Sequence, residues 1–135
     1  VKALIDTNIL IDCAGGVKHA VRELDRYQEL AVSRIVRIEF LLGAKTSVVE
    51  ASRKSLLKEF ELLEVDAAVS LETIVIRQRT RLRLPDAIIL ATARVHGIVL
   101  VTTKHRDFFP SRPPRADSVL AAVPGGEIAP TAPSA

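Results

Sequence analysis

The chain has a single cysteine, Cys13, in 135 residues, so it can form no internal disulfide. A reducing compartment is therefore expected, with the thiol buried and inert. Tryptophan and methionine are absent and aromatics make up 4% of the residues, which leaves Leu, Ile, Val and Ala to fill the core. The longest apolar stretch, AIILATA at 87–93, is too short to span a bilayer. The first residues also lack the basic region and cleavage site of a signal peptide. A soluble cytoplasmic protein with no membrane partner is the expectation. Gly15 and Gly16 are not followed by a glycine repeat or a Lys-Ser/Thr pair, which excludes a phosphate cradle. His19, His96 and His105 are scattered, so no zinc spacing arises. The net charge of +3 and pI near 9.4 are compatible with a polyanion or an acidic protein partner without identifying either.

What is present suits one compact domain: 48% of the residues are apolar, in a chain too short for two cores. Val1, Ala3, Leu4 and Ile5 form the short apolar run of a strand buried on both faces of a parallel sheet. ILIDCA follows as a short helical turn, and 18–27 as a surface helix. LAVS at 30–33 reads as a second strand whose Ser33 caps the helix RIVRIEFLLGA, closing near Gly43. SVVE at 47–50 matches a capping box and opens a helix expected to reach Leu63. EVDA at 64–67 is the expected third strand, and 70–82 the next helix. Pro85 opens a helix that Gly97 closes, and IVLVT at 98–102 is a clear strand. This alternation predicts an α/β/α sandwich around a central parallel sheet of about four or five strands. Six of the seven prolines lie at or after Pro110, so 1–109 is read as the domain and 110–135 as a Pro/Ala/Gly-rich tail with little packed structure.

Three carboxylates stand out. Asp6 follows the first strand, at the edge where open α/β sheets bind ligands, and a buried carboxylate needs compensation. Glu39 has Ile35, Val36, Leu42 and Gly43 as helical neighbours, none of them charged. Asp86 follows Pro85 at a helix start. Each has a plain structural reading: Asp6 as a helix cap, Glu39 as a snorkelling side chain, Asp86 as an acid favoured by the helix dipole. Gathered at one sheet edge they would repel, by roughly 4 kcal/mol per pair at ~4 Å and an effective dielectric of ~20. A divalent cation is the ordinary compensation, and hard oxygen ligands suit Mg2+ or Mn2+. With no nucleophilic Ser or Cys motif, this chemistry points to metal-assisted phosphodiester cleavage, in which Glu39 would orient or deprotonate the attacking water.

The motifs ALIDTNILID, RIEFLLGA, RLRLPDAIILATARVHG and LVTTKHRDF, in this order across about residues 2–109, resemble the PIN-domain ribonucleases. Among these, the chain is most similar to the VapC toxins of type II toxin-antitoxin systems. The resemblance implies a Mg2+- or Mn2+-dependent endoribonuclease, a homodimer, cutting RNA and held inactive by a cognate antitoxin. Asp6, Glu39 and Asp86 match the family's first three acidic positions. Asp6 and Asp86 would be the principal metal binders. Thr7 and Asn8 of the DTN motif would orient Asp6, and Thr102 and Lys104 would stand in the surrounding shell.

One departure matters. Where the family often carries a fourth Asp or Asn after the last strand, this chain has Lys104, with Asp107 nearby. Asp107 could substitute as a metal ligand, Lys104 could supply the charge of a second metal, or the enzyme could be weakened. The first two keep one well-held metal, which is the expectation. Arg77, Arg79, Arg81 and Arg83 precede the Asp86 helix and read either as RNA-phosphate contacts or as solvated cations at a helix carboxyl end. The competing function is a weakly active or inactive PIN domain that binds RNA or protein. A dehalogenase-type phosphatase is disfavoured, since Asn8 stands where its second acid belongs.

Overall fold

The computed structural model describes residues 2–104, Phe108, 120–122 and 128–130. Six helices and a six-stranded sheet are formed by these residues. β1 (Lys2–Ile5) leads into α1 (Thr7–Ala14) and α2 (Lys18–Leu24), then β2 (Glu29–Ser33), α3 (Arg34–Leu42), α4 (Ser47–Leu57) and β3 (Glu61–Leu63). α5 (Ala67–Arg79), α6 (Leu84–His96) and β4 (Val99–Thr102) follow, and β5 (Leu120–Ala122) and β6 (Ile128–Pro130) complete the sheet.

The strand order is β3-β2-β1-β4-β5-β6. The first four strands in that order are mutually parallel, while β5 and β6 add antiparallel to the β4 side. Helices pack on this sheet as an α/β/α sandwich, as the alternation predicts. β1 is central: Ala3, Leu4 and Ile5 are wholly buried, between Leu30 and Ala31 of β2 and Val99, Leu100 and Val101 of β4. Burying a side chain such as Leu4 or Ile5 contributes roughly 1.5–3 kcal/mol. The chain runs outward from β1 through β2 to β3, then returns to place β4 on the other side of β1. The strand order therefore reverses between β1 and β4, and at such a switch point the helices that follow the two flanking strands diverge and leave a crevice at the strands' carboxyl ends.

Several local expectations are corrected. The helix opened near Ser47 is capped by Thr46, whose Oγ1 accepts from Val49 N at 3.1 Å, one residue before the capping-box reading. It ends at Leu57 instead of Leu63, because Glu61–Leu63 pair with Ala31–Ser33 and bury Leu63. The third strand is thus 61–63, and EVDA is a loop in which Asp66 caps α5. Two short strands fall within the tail where little packed structure was expected. Pro130 lies in β6, the edge strand, where a missing amide donor is tolerated. Cys13 is half-buried, not buried, and desolvation followed by the nearby Asp25 pushes its thiol up. Gly97 adopts φ 64°, the left-handed conformation that closes α6 at no Cβ cost. No helix of the described residues is long and apolar enough to cross a membrane.

Candidate active site

Asp6 is the residue immediately after β1 and is wholly buried. Its backbone amide donates to Val101 O of β4 at 3.0 Å, so the carboxyl end of the sheet holds its position. Its Oδ1 accepts from Thr7 N at 2.7 Å, making it the N-cap of α1. Its Oδ2 accepts from Thr102 Oγ1, the last residue of β4, at 2.6 Å. Thr102 Oγ1 in turn accepts from Lys104 N at 3.0 Å. One buried hydroxyl thus anchors both the acid and the lysine across the switch point. Burial raises the Asp6 carboxyl above its ordinary value, against the opposing pull of Thr102, Lys104 and the Thr7 amide, while neighbouring Asp86 adds to the rise.

Glu39 projects from α3, whose start is capped by Ser33 Oγ accepting from Val36 N at 3.2 Å. It is half-buried, and its Oε1 accepts from Thr7 Oγ1 at 3.0 Å. The far end of α3 is pinned by Arg53 of α4, which donates Nη1 to Phe40 O at 2.6 Å and lies 4.6 Å over the Phe40 ring. Asp86 is the third residue of α6 and is 5% exposed. Its Oδ1 accepts from Lys104 Nζ at 3.1 Å.

Lys104 joins the three acids. Desolvation works against its charge, yet Asp6, the Asp86 hydrogen bond and charge, and Glu39 together outweigh it and raise the amine's pKa. Of the three carboxylates, Asp86 touches the amine directly, while Asp6 and Glu39 act on it through their charge. With all four groups ionised, three negative charges against one positive leave a net charge of −2.

Among the described residues, no three or more His, Cys, Asp or Glu side chains are grouped so that they could together hold a metal ion. The donor chemistry nevertheless fits a hard divalent ion. Asp6 and Asp86, linked through Thr102 and Lys104, offer hard oxygen ligands of the kind that hold Mg2+ with only one or two carboxylates and water. Glu39 and Asp86 each accept a side-chain hydrogen bond at only one carboxylate oxygen among the described residues.

A family profile described as PIN domain matches residues 3–110. The chain belongs to the PIN domain family. PIN domains are nucleases. The resemblance drawn from the sequence motifs, to PIN-domain ribonucleases and the VapC toxins among them, agrees with the structural comparisons. The fold is similar to a toxin-antitoxin complex from Klebsiella pneumoniae, with 36% identity, a TM-score of 0.75 and coverage of 81% of this chain and 92% of that one. It is also similar to VapBC2 from Rickettsia felis bound to a DNA fragment from their promoter (18% identity, TM-score 0.69, 80% and 91% covered). DNA-bound VapBC from Salmonella typhimurium shares the fold as well (22% identity, TM-score 0.66, 80% and 90% covered). No curated protein matches the sequence.

In this PIN domain the residues of the DTN motif divide their work differently from the expectation that Thr7 and Asn8 orient Asp6. Thr7 reaches Asp6 through its amide, and its hydroxyl goes to Glu39. Asn8 is exposed and makes no hydrogen bond to Asp6 among the described residues. The Thr7–Glu39 link was not foreseen, although the spacing of DTN behind a buried strand brings Thr7 onto the first turn of α1. Arg77 donates Nη1 to Leu82 O at 2.6 Å and so braces the loop between α5 and α6. Arg79, Arg81 and Arg83 are exposed, and Arg83 is the N-cap residue of α6, three positions before Asp86. Asp107 and His105 lie outside the described residues.

Proposed function

We propose that this PIN domain is a metal-dependent endoribonuclease acting as the toxin of a type II toxin-antitoxin module and inhibited by a cognate antitoxin. The observation that carries the reading is the chain of hydrogen bonds at the switch point between β1 and β4 that links Glu39 to Thr7, Thr7 to Asp6, Asp6 to Thr102, Thr102 to Lys104 and Lys104 to Asp86. Likeness to a toxin-antitoxin complex at 36% identity supports the toxin assignment. Asp6 and Asp86 would hold Mg2+ or Mn2+, with Glu39 beside them. Such an ion, when bound, polarises the phosphate and lowers the pKa of water.

The chain's own residues supply the rest. Thr102 and the Thr7 amide fix the Asp6 carboxylate so that it needs no reorganisation. Thr7 Oγ1 holds one Glu39 oxygen and leaves the other to orient or deprotonate a water. Arg79, Arg81 and Arg83 would receive RNA phosphates beside the start of α6. The antitoxin would cover this acidic edge, and the protein would act as a homodimer.

The decisive experiment is cleavage of total RNA with Mg2+ or Mn2+, with chelator, and with Asp6→Asn and Asp86→Asn. Cleavage that needs the ion and is lost in both folded variants is the expected result. Chelator-resistant cleavage, or full activity in either variant, overturns the reading. Absence of cleavage by the wild-type chain with RNA still bound favours the alternative of a binding module, a reading motivated by the engagement of Asp86 with Lys104.

A further inference from the structure

Lys104 has no task in cleavage, although it bridges the strand end that holds Asp6 to the carboxylate of Asp86. Its amide is held by Thr102 Oγ1, the hydroxyl that also holds Asp6, so its side chain starts beside one acid. The side chain then reaches Asp86 on a different element, 3.1 Å away and almost buried. It is itself only 26% exposed, so water screens the interaction weakly. Removing the ammonium would change the pocket from −2 to −3 and free an Asp86 oxygen.

We propose that Lys104 is the resident counter-cation of this site: it balances Asp86 and the neighbouring Asp6 in the metal-free protein, and a divalent ion must displace it from Asp86 to bind. This rests on the reading that Asp6 and Asp86 hold the ion. Two consequences follow from the same charge. Metal affinity is held below what three bare carboxylates would give, because the incoming ion loses the ammonium's partner and meets its repulsion. The metal-free fold is protected, because the carboxylates never face one another alone. Lys104 is a positioning residue in this account, acting through Asp86.

The test measures Mn2+ binding by titration calorimetry and metal-free melting on the full chain, comparing wild type with Lys104→Met, which keeps the stem without the charge, and Lys104→Arg. Lys104→Gln stands in should the Met variant fail to fold. The neutral variant should bind Mn2+ at least about tenfold more tightly, a change of ~1.4 kcal/mol, and melt lower than wild type without metal. The Arg variant should stay near wild type in both. Equal or weaker Mn2+ affinity in the neutral variant, or unchanged metal-free melting, overturns the inference. RNA cleavage run in parallel separates this failure from that of the nuclease reading. A cleaving wild type with unchanged affinity in the variant sinks the Lys104 role alone. Tighter Mn2+ binding with no cleavage in any chain sinks the nuclease reading alone. No Mn2+ binding in either chain sinks both.

Discussion

Thr102 Oγ1 donates to Asp6 Oδ2 at 2.6 Å, a hydrogen bond between residues 96 positions apart that closes the switch point from β4 to β1. Both residues are wholly buried, so no water replaces either partner. Thr102→Val keeps the shape and removes both the donor to Asp6 and the acceptor of Lys104 N. It should destabilise the protein by about 1.5–3 kcal/mol at neutral pH, the range for hydrogen bonds to charged groups. Urea denaturation measures this, and Thr102→Ser should restore most of the loss. A cost below about 0.5 kcal/mol would mean that the bond contributes little.

Asp6 makes the stability of the metal-free fold depend on pH. Burial raises its folded pKa above the ordinary 3.8, so the native state holds the proton more tightly than the unfolded chain. The sign follows: the associated stability is fully present below about pH 4 and is lost as pH rises through the folded value. Asp6→Asn removes the titration. The amide cannot accept at both positions, so it gives up the bond from Thr102 or from Thr7 N. The sign is therefore read from the pH trend: the melting temperature of metal-free Asp6→Asn relative to wild type should rise between pH 4 and pH 7, while cleavage is abolished. A difference that stays constant or falls between pH 4 and pH 7 would contradict the sign.

Gly43 ends α3 with ordinary helical backbone, so its lack of a side chain reflects space and not conformation. A Cβ there would lie 3.0 Å from Arg53 Nη1, the group that bonds Phe40 O. Alanine gains about 0.4–1 kcal/mol by restricting the unfolded chain, while displacing Arg53 weakens its hydrogen bond and ring contact. In a double-mutant cycle, Gly43→Ala should be about 1 kcal/mol more costly with Arg53 present than in an Arg53→Ala background. Additive effects would show that the guanidinium moves aside freely.

Arg79, Arg81 and Arg83 offer a separable prediction about substrate. Replacing all three with alanine, in a chain inactivated by Asp86→Asn, should reduce the slope of log binding constant against log salt by about 2, since each contact to single-stranded RNA adds ~0.7. Fluorescence anisotropy across a salt series measures the slope. An unchanged slope would return these residues to the role of solvated cations near a helix end.

Much of the frame was legible because its signals are local. The apolar run before Asp6, Ser33 ahead of α3, and Pro85 with Gly97 around α6 each mark an element by the chemistry of its own few residues. Local pattern fails where another strand decides the outcome. Residues 58–63 look helical in isolation, yet pairing with β2 takes 61–63 into the sheet. Short apolar segments do not distinguish helix from strand by pattern alone. At the site, the identities of Asp6, Glu39 and Asp86 were visible as polar groups in apolar surroundings. The grip of Thr7 on Glu39 was not, because a hydroxyl's partner depends on how α1 and α3 pack.

The sequence by itself determined the strand and helix alternation, the aliphatic core and the three acids that interrupt it, since each follows from the residues' own preference for burial or water. Only the tertiary structure decided that Asp6, Glu39 and Asp86 are tied together through Thr7, Thr102 and Lys104. Charges act through space at a few ångströms, and the distance from residue 104 to 6, 39 or 86 is set by strand order, which no local pattern encodes.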